Sequence, residues 1–411
     1  MTQRPLRVLC LDIEGGYGGS SRSLFFLLAH LDRSRASPEV WCKRDGPIAT
    51  MYARHGIPVR IESALPKFSA LPRLSRNVWQ AAKFARDFWA SAGARRRLVK
   101  SINDRFDVVH FNHESLVFLA TWARSRTSAA FVMHNRTMLW DSWFARRQAS
   151  LVRSANDINV FITDRERDNV LRLSEAYESG VGDAVVIHNV VDIPQVLPTR
   201  HDALPDDGRF TLATLANFSS LRGTDRLVDI ALALKKASRG DIRFAVAGKD
   251  RLSGNLPGLL GDISRRGGTL ADYANARGVG DMFVFLGHVS DPERVLAASD
   301  VLIKTSRENN PWGRDLLEAM ALGLPVMACG DCETFVQPRK TGFLYPHDGR
   351  FDASRVAADI QDLAADRSRA RQLGLAGQEL VKRLCDGPTQ AAKLLDVWEK
   401  AHALRAAQRT F

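Results

Sequence analysis

Short apolar runs alternate with longer stretches of helical periodicity from one end of the chain to the other. In the first half, residues 7–12, 39–42, 58–61, 107–111, 129–134, 157–162 and 184–188 read as buried strands. Between them, 21–31, 74–97, 142–153 and 165–176 repeat apolar positions three and four apart, the period of an amphipathic helix. The rhythm restarts with strand-like runs at 210–216, 242–247, 283–286, 300–303 and 325–328. Strands alternating with helices predict an α/β fold with parallel sheets covered on both faces. Residues 193–209 hold Pro194, Pro198 and Pro205 and show no period, which predicts a linker. The chain therefore divides into α/β domains at 1–192 and 210–387, with a helical tail at 388–411. In open parallel sheets ligands bind beyond the carboxyl ends of the strands, so the candidate chemistry is sought there.

Composition narrows the class. The 411 residues are 45% hydrophobic and 25% charged, which excludes disordered and fibrous chains. The longest apolar run near the start, 24–29, is far short of the roughly 20 residues of a membrane span. A soluble, cytoplasmic protein is expected. Five cysteines, an odd and sparse set, suit a reducing compartment. Cys329 and Cys332 form one lone CxxC, too little for a zinc site. Lysine and arginine number 58 against 46 acidic residues, for a net charge of +12. The excess concentrates in 73–153, with 15 basic and 5 acidic residues. Such a region attracts phosphates, nucleic acid or an anionic bilayer. No nucleic-acid recognition module is visible, so nucleic acid is not an expected partner.

Two segments carry candidate chemistry. The first strand runs into Glu14-Gly15-Gly16-Tyr17-Gly18-Gly19-Ser20-Ser21 and then a helix. Glycines at that turn admit a ligand to the backbone, and a helix N-terminus favours an anion. The spacing is not GxGxxG, because Ser21 stands at the third position. The second segment is 306–326, in which Asn310 and Pro311 read as cap and first helical position and Gly323 as the stop. On that reading Glu318 lies eight residues, about 12 Å, along the helix axis from Asn310. Polar groups so placed can hold two ends of one long ligand, with a phosphate near the helix N-terminus.

The stretch Ser306 … Asn310-Pro311-Trp312-Gly313-Arg314 … Leu316-Leu317-Glu318-Ala319-Met320-Ala321 … Gly323-Leu324-Pro325-Val326 resembles the donor-site signature of retaining, nucleotide-sugar-dependent glycosyltransferases of family 4, which have the GT-B fold. Gly18-Gly19, Asp107-Val108-Val109-His110, His134, Asn189 to Asp192, Arg222-Gly223 and Ala247-Gly248 agree in order and spacing, as do segments 285–288, 298–301 and 341–344. The resemblance implies two Rossmann-like domains facing a cleft, donor on the C-terminal side and acceptor on the N-terminal side. It also implies that the C-terminal helix crosses back to the first domain.

Site residues follow from the same resemblance. Glu318 matches the glutamate that holds the nucleotide ribose, and Arg222 stands where a lysine usually contacts the diphosphate. His134 matches a histidine that contacts the donor sugar, while His110 reads as scaffold or acceptor-side. Gly18, Gly19, Lys249, Pro311, Trp312 and Gly313 line the implied donor site. The chain departs from the family twice: Asn310 replaces the first glutamate of the motif, and Asn217 replaces an arginine. Glu308 lies two positions too early to replace the missing acid.

The implied activity is transfer of a sugar from a nucleoside-diphosphate sugar, UDP slightly favoured over GDP, to a saccharide or lipid-linked acceptor with retention of configuration. No cofactor and no metal are expected. A non-catalytic subunit of the same shape, binding nucleotide or a partner enzyme, is the alternative. In 76–92, Val78, Ala82, Ala85, Phe88, Trp89 and Ala92 share one face, and Arg76, Lys83, Arg86 and Asp87 another. Trp79 lies on the same helix, and Arg95, Arg96, Arg97 and Lys100 follow. An interfacial helix on an anionic membrane surface has this pattern. So does a helix packed on the domain's own sheet.

Overall fold

The structure is a computed structural model that describes residues 4–12, 18–66, 70–75, 77–175, 183–237 and 240–409. Gly15, Gly16 and Arg76 lie outside the described residues. The chain forms two compact units, one of Met1–Val190 with Cys385–Phe411, the other of Val191–Leu384.

In the first unit seven strands form one sheet in the order β3-β2-β1-β4-β5-β6-β7. They are β1 (Leu6–Asp12), β2 (Ala36–Cys42), β3 (Val59–Ile61), β4 (Val108–Phe111), β5 (Ala130–Asn135), β6 (Ile158–Phe161) and β7 (Asp183–Val186). Every pairing is parallel. Both faces are covered, which is why the strands read as unbroken apolar runs. Val8, Cys10, Val108 and Val132 pack with Leu24, Leu28, Leu394 and Trp398 on one face, while Leu9, Leu11, Val109 and Phe131 pack with Leu98, Ile102 and Val117 on the other. The helix Gly387–Ala407 thus belongs to this core, and its segment joins the first unit from Cys385.

The single helix expected over 74–97 is three: Leu71–Ser75, Val78–Ala90 and Ala92–Arg105. Local polar groups make the breaks. The Asn77 side chain accepts from the backbone N–H of Trp79 at 2.9 Å, capping the second helix. The Ser91 hydroxyl donates to the Phe88 carbonyl at 2.7 Å between the second and third.

The second unit holds a six-stranded parallel sheet in the order β10-β9-β8-β11-β12-β13. Its strands are β8 (Phe210–Leu215), β9 (Ile242–Ala247), β10 (Phe283–Gly287), β11 (Val301–Lys304), β12 (Val326–Cys329) and β13 (Gly342–Tyr345). The edge strand β13 has only four residues and no expectation of a strand preceded it. Residues 193–209 have no regular structure but are anchored to this unit. Leu204 is buried, the Arg294 guanidinium binds Asp202 at 2.8 Å, and His201 N donates to the Arg294 carbonyl at 3.0 Å. In both sheets the strand order reverses beside the first strand of the unit, at β1/β4 and β8/β11. Ligand sites of open α/β sheets sit at such reversals.

Candidate functional site

In the second unit, three loops at the carboxyl ends of β8, β9 and β11 are tied together. The turn holding Arg222 is bound to the segment after β11: Arg307 N donates to the Leu221 carbonyl at 2.8 Å, and the Ser306 hydroxyl donates to the same carbonyl at 3.2 Å. The Arg307 guanidinium forks onto Asp225 at 2.7 and 2.6 Å and also reaches the Ser220 carbonyl at 2.7 Å. Gly223 has φ +66°, and a Cβ there would lie 2.1 Å from the Thr305 carbonyl oxygen, so only glycine permits this approach. At the end of β9, Gly248 has φ +146°, and a Cβ would meet the Ala216 carbonyl oxygen at 2.3 Å.

Arg222 is exposed on this platform, and among the described residues its guanidinium makes no hydrogen bond or ion pair. Lys249 is likewise exposed, with only its backbone engaged. The Asn217 side-chain oxygen accepts from Lys249 N at 2.8 Å. Asn217, which stands where the resembled family has an arginine, thus fastens the β8 loop to the β9 loop. Beneath the platform lies Arg226, which the motif reading passed over. It is buried and donates to the carbonyls of Thr305, Ser306, His347 and Asp348 at 3.0–3.4 Å. Its signal in the sequence was slight: an arginine three residues after a loop glycine.

The helix expected from Pro311 begins later, at Arg314, and ends at Ala321. Residues 310–312 make two successive tight turns, with Asn310 N bonded to the Glu308 carbonyl and Trp312 N to the Asn310 carbonyl, both at 2.9 Å. Gly313, extended at φ −68° and ψ 165°, is the N-cap, and its carbonyl accepts from Leu316 N and Leu317 N. The eight-residue spacing from Asn310 to Glu318 is therefore part turn and part helix. Pro311 and Trp312 are buried and shape the loop rather than line its surface. The Asn310 amide donates to Glu308 Oε2 at 3.3 Å, while its Oδ1 is buried without a partner. Glu318 is mostly buried and accepts from Arg314 Nε at 3.1 Å, one helical turn earlier.

In the first unit, Gly18 caps the helix Gly19–Ala29 at the end of the β1 loop, and its carbonyl accepts from Arg22 N at 3.0 Å. Below it is a buried polar cluster that no motif pointed to. Asp12 accepts from Ser21 Oγ at 2.8 Å, Tyr52 OH at 3.1 Å and Asn112 Nδ2 at 3.2 Å. Burial pushes the Asp12 carboxyl up from its ordinary pKa, partly offset by these donors. Arg136, also buried, donates to Asn112 Oδ1 at 2.5 Å, the Asn112 carbonyl at 2.8 Å and Asn189 Oδ1 at 3.3 Å. Burial lowers its pKa to about 10 against the attraction of Asp12 and Glu114.

His134 lies at the end of β5 with no exposed surface. Its Nδ1 faces Arg136 Nη2 at 3.3 Å, so the guanidinium donates, the ring is an Nε2–H tautomer, and that Nε2 has no partner. His110 is held in the same way by the Trp398 indole, which donates to its Nδ1 at 3.2 Å. The two imidazoles stack edge to face, 5.6 Å apart. Burial, and after it the Arg136 charge, lowers both pKa values, His110 to about 3. Both rings are neutral at ordinary pH. His134 is thus enclosed in this structure, with Nε2 its one ring nitrogen left without a partner.

The helix Val78–Ala90 has no buried residue. Phe84 and Phe88 form its packing side, Phe84 lying 5.2 Å from Phe118. Of the face expected to be apolar, Phe88 turns inward while Val78 and Trp89 are 82% exposed, and Trp79 is 84% exposed. Of the basic candidates, Arg86 pairs with Asp87 at 2.9 Å and Arg97 with Glu62 at 3.3 Å, Arg95 is buried, and Arg96 is exposed. Among the described residues no helix is long and apolar enough to cross a membrane, and no cluster of three or more His, Cys, Asp and Glu is placed to hold a metal ion.

Residues 198–380 match the family model described as glycosyl transferases group 1. A GDP-mannose-dependent alpha-(1-6)-phosphatidylinositol monomannoside mannosyltransferase of Mycobacterium tuberculosis is 32% identical over 199 residues, 46% of this chain and 47% of the relative. The match thus spans about half the length of the curated relative. Among solved structures, Anabaena HepE in complex with UDP and glucose superposes with a TM-score of 0.75 at 20% identity, over 96% of this chain and all of that one. Sucrose-phosphate synthase from Thermosynechococcus elongatus superposes with a TM-score of 0.70 at 18% identity, over 97% and 99%. The chain has the GT-B fold, two units each built on a parallel Rossmann-like sheet, and its second unit carries the stretch that matches the group 1 glycosyl transferases.

Proposed function

We propose that the protein is a glycosyltransferase that moves a sugar from a nucleoside-diphosphate sugar to a saccharide or lipid-linked acceptor, with retention of configuration. The observation that carries this reading is Arg222: an exposed, unpaired guanidinium on a turn rigidly tied to the segment after β11, inside the stretch that matches the family model. A guanidinium so placed grips phosphate oxygens in bidentate fashion and offsets the charge on a departing diphosphate. The N-terminus of the helix Arg314–Ala321 adds a partial positive charge, and Glu318, steadied by Arg314, offers acceptors for ribose hydroxyls. The reading assigns charge neutralisation to these groups and calls for no metal. Asn310, with its buried and unpartnered Oδ1, is the residue of that loop left to meet the sugar.

For the base, the curated relative is named for GDP-mannose and the structural neighbour was solved with UDP. The acceptor side is proposed to work at an anionic membrane surface, through the exposed apolar and basic sides of Val78–Ala90 with Trp79, Trp89, Lys83 and Arg86. Donor consumption measured with and without added acceptor tests the activity. Sugar transfer with the anomeric configuration kept supports the proposal. Nucleotide binding without turnover on any acceptor supports the second reading, a non-catalytic subunit. The engaged side chain of Asn217 and the enclosed His134 favour that alternative.

A further inference from the structure

On the first unit, Arg95, Arg96, Lys100 and Arg126 surround a cavity of about 480 Å³ with Trp122 in its wall. No carboxylate lines it, and among the described residues none of the four cations forms an ion pair. Their neighbours in sequence behave differently: Arg97 pairs with Glu62, Arg105 with Glu39 and Arg124 with Asp157. Two of the four are fixed in place. The Arg95 and Arg126 guanidiniums both lie over the Trp122 indole, 4.4 and 4.8 Å from its centroid. Arg95 donates to the Phe88 carbonyl at 2.9 Å and Arg126 to the Trp122 carbonyl at 2.7 Å. The other two, Arg96 and Lys100, stand one helical turn apart on Ala92–Arg105, exposed and without a hydrogen bond, so they can close on a bound group. Burial, then repulsion from Arg126 and Arg96, holds the Arg95 pKa below its usual value. Like charges gathered without a counter-charge are costly, and an anion in the cavity removes that cost.

We propose that this cavity binds the phosphate group of a ligand, with Arg95 and Arg126 as its fixed donors and Arg96 and Lys100 as its mobile ones. A phosphate presents several acceptor oxygens at once and matches forked guanidinium donors. The ligand is either a phospholipid headgroup or a soluble phosphorylated compound. The proposal uses none of the donor-site residues; Arg95, Arg96 and Lys100 belong to the basic run behind the membrane reading, so its lipid arm rests on that reading and its soluble-phosphate arm does not.

The test titrates the full-length protein with inorganic phosphate by calorimetry and floats it with vesicles of phosphatidylcholine alone or mixed with phosphatidylglycerol. It uses the wild type, Arg96→Gln/Lys100→Gln, Arg126→Gln and Lys236→Gln. Thermal midpoints confirm that each variant is folded. Arg96→Gln/Lys100→Gln is expected to weaken binding at least about tenfold and Lys236→Gln, an exposed cation at the end of a second-unit helix, to leave it unchanged. Cavity-dependent binding to phosphatidylglycerol vesicles identifies a lipid headgroup as the source, and cavity-dependent binding to phosphate alone a soluble ligand. Binding that is absent in both assays, or that survives in both cavity variants, overturns the proposal.

Discussion

Gly223 and Thr305 are locked together: the Thr305 side-chain hydroxyl donates to the Gly223 carbonyl at 2.8 Å, and the Thr305 carbonyl leaves no room for a Cβ on the glycine. This contact seats the Arg222 turn against the end of β11. Gly223→Ala must adopt a left-handed φ and push the two segments apart. The expected loss is roughly 2–4 kcal/mol of second-unit stability in urea unfolding. Gly208→Ala is the control: φ is +80° there, but nothing lies within 4 Å, so only the strain of about 1 kcal/mol remains. Equal losses in the two variants would mean the contact with Thr305 does not constrain the turn.

The buried cluster of the first unit makes stability depend on pH in two opposing ways. His110, with its pKa lowered to about 3, stays neutral in the fold while the unfolded chain takes up a proton below about 6.5. Its contribution is complete above that pH and is lost on acidification, about 3 kcal/mol by pH 4. Glu166, buried in the first turn of the helix Asp164–Ser174, accepts from Ile162 N and Thr163 N at 3.2 and 3.1 Å, and its pKa is raised to about 8, by burial first and the Glu114 charge second. Its folded form keeps a proton that the unfolded form releases above about 4.5, so stability falls as pH rises from 4.5 to 8. Glu166→Gln should therefore gain on the wild type by about 3 kcal/mol between pH 4.5 and 7. His110→Asn should lose less than the wild type on going from pH 6.5 to 4. Parallel stability–pH curves for wild type and variants would show that neither group titrates as described.

Trp79 and Trp89 contribute nothing to the fold that their exposure would not predict. Trp79→Ser/Trp89→Ser should leave the unfolding midpoint within about 0.5 kcal/mol of the wild type. Flotation with vesicles containing phosphatidylglycerol should drop sharply in the same variant. A large fall in stability would place the two indoles in the core; unchanged flotation would remove the helix from the membrane-facing role.

The sheets were legible because strands covered on both faces are continuous apolar runs, and twelve of the thirteen strands stand where such runs do. The four-residue edge strand Gly342–Tyr345 carried too little of that signal. Helix ends were less legible. The breaks at Asn77 and Ser91 and the delayed start at Arg314 depend on single side-chain or turn hydrogen bonds, which hydrophobic period does not register. At the candidate site, the Gly18-Gly19 turn followed from local sequence, and Arg222 came only from the resemblance to a known family. Arg136 and Arg226 did not, because each is defined by partners brought from distant segments: Asn112 and Asn189 for one, His347 and Asp348 for the other. His134 and His110 likewise owe their neutral, enclosed state to Arg136 and to Trp398, which lies 288 residues from His110.

The central claim is a nucleoside-diphosphate site on the second unit, and thermal unfolding with UDP, GDP, ADP and dTDP tests it most directly. One nucleotide at a hundredfold over its Kd should stabilise the wild type by about 2.7 kcal/mol. Arg222→Ala and Glu318→Ala, each compared with its own ligand-free midpoint, should lose that shift. Stabilisation by none of the four nucleotides, or an undiminished shift in both variants, would contradict the account.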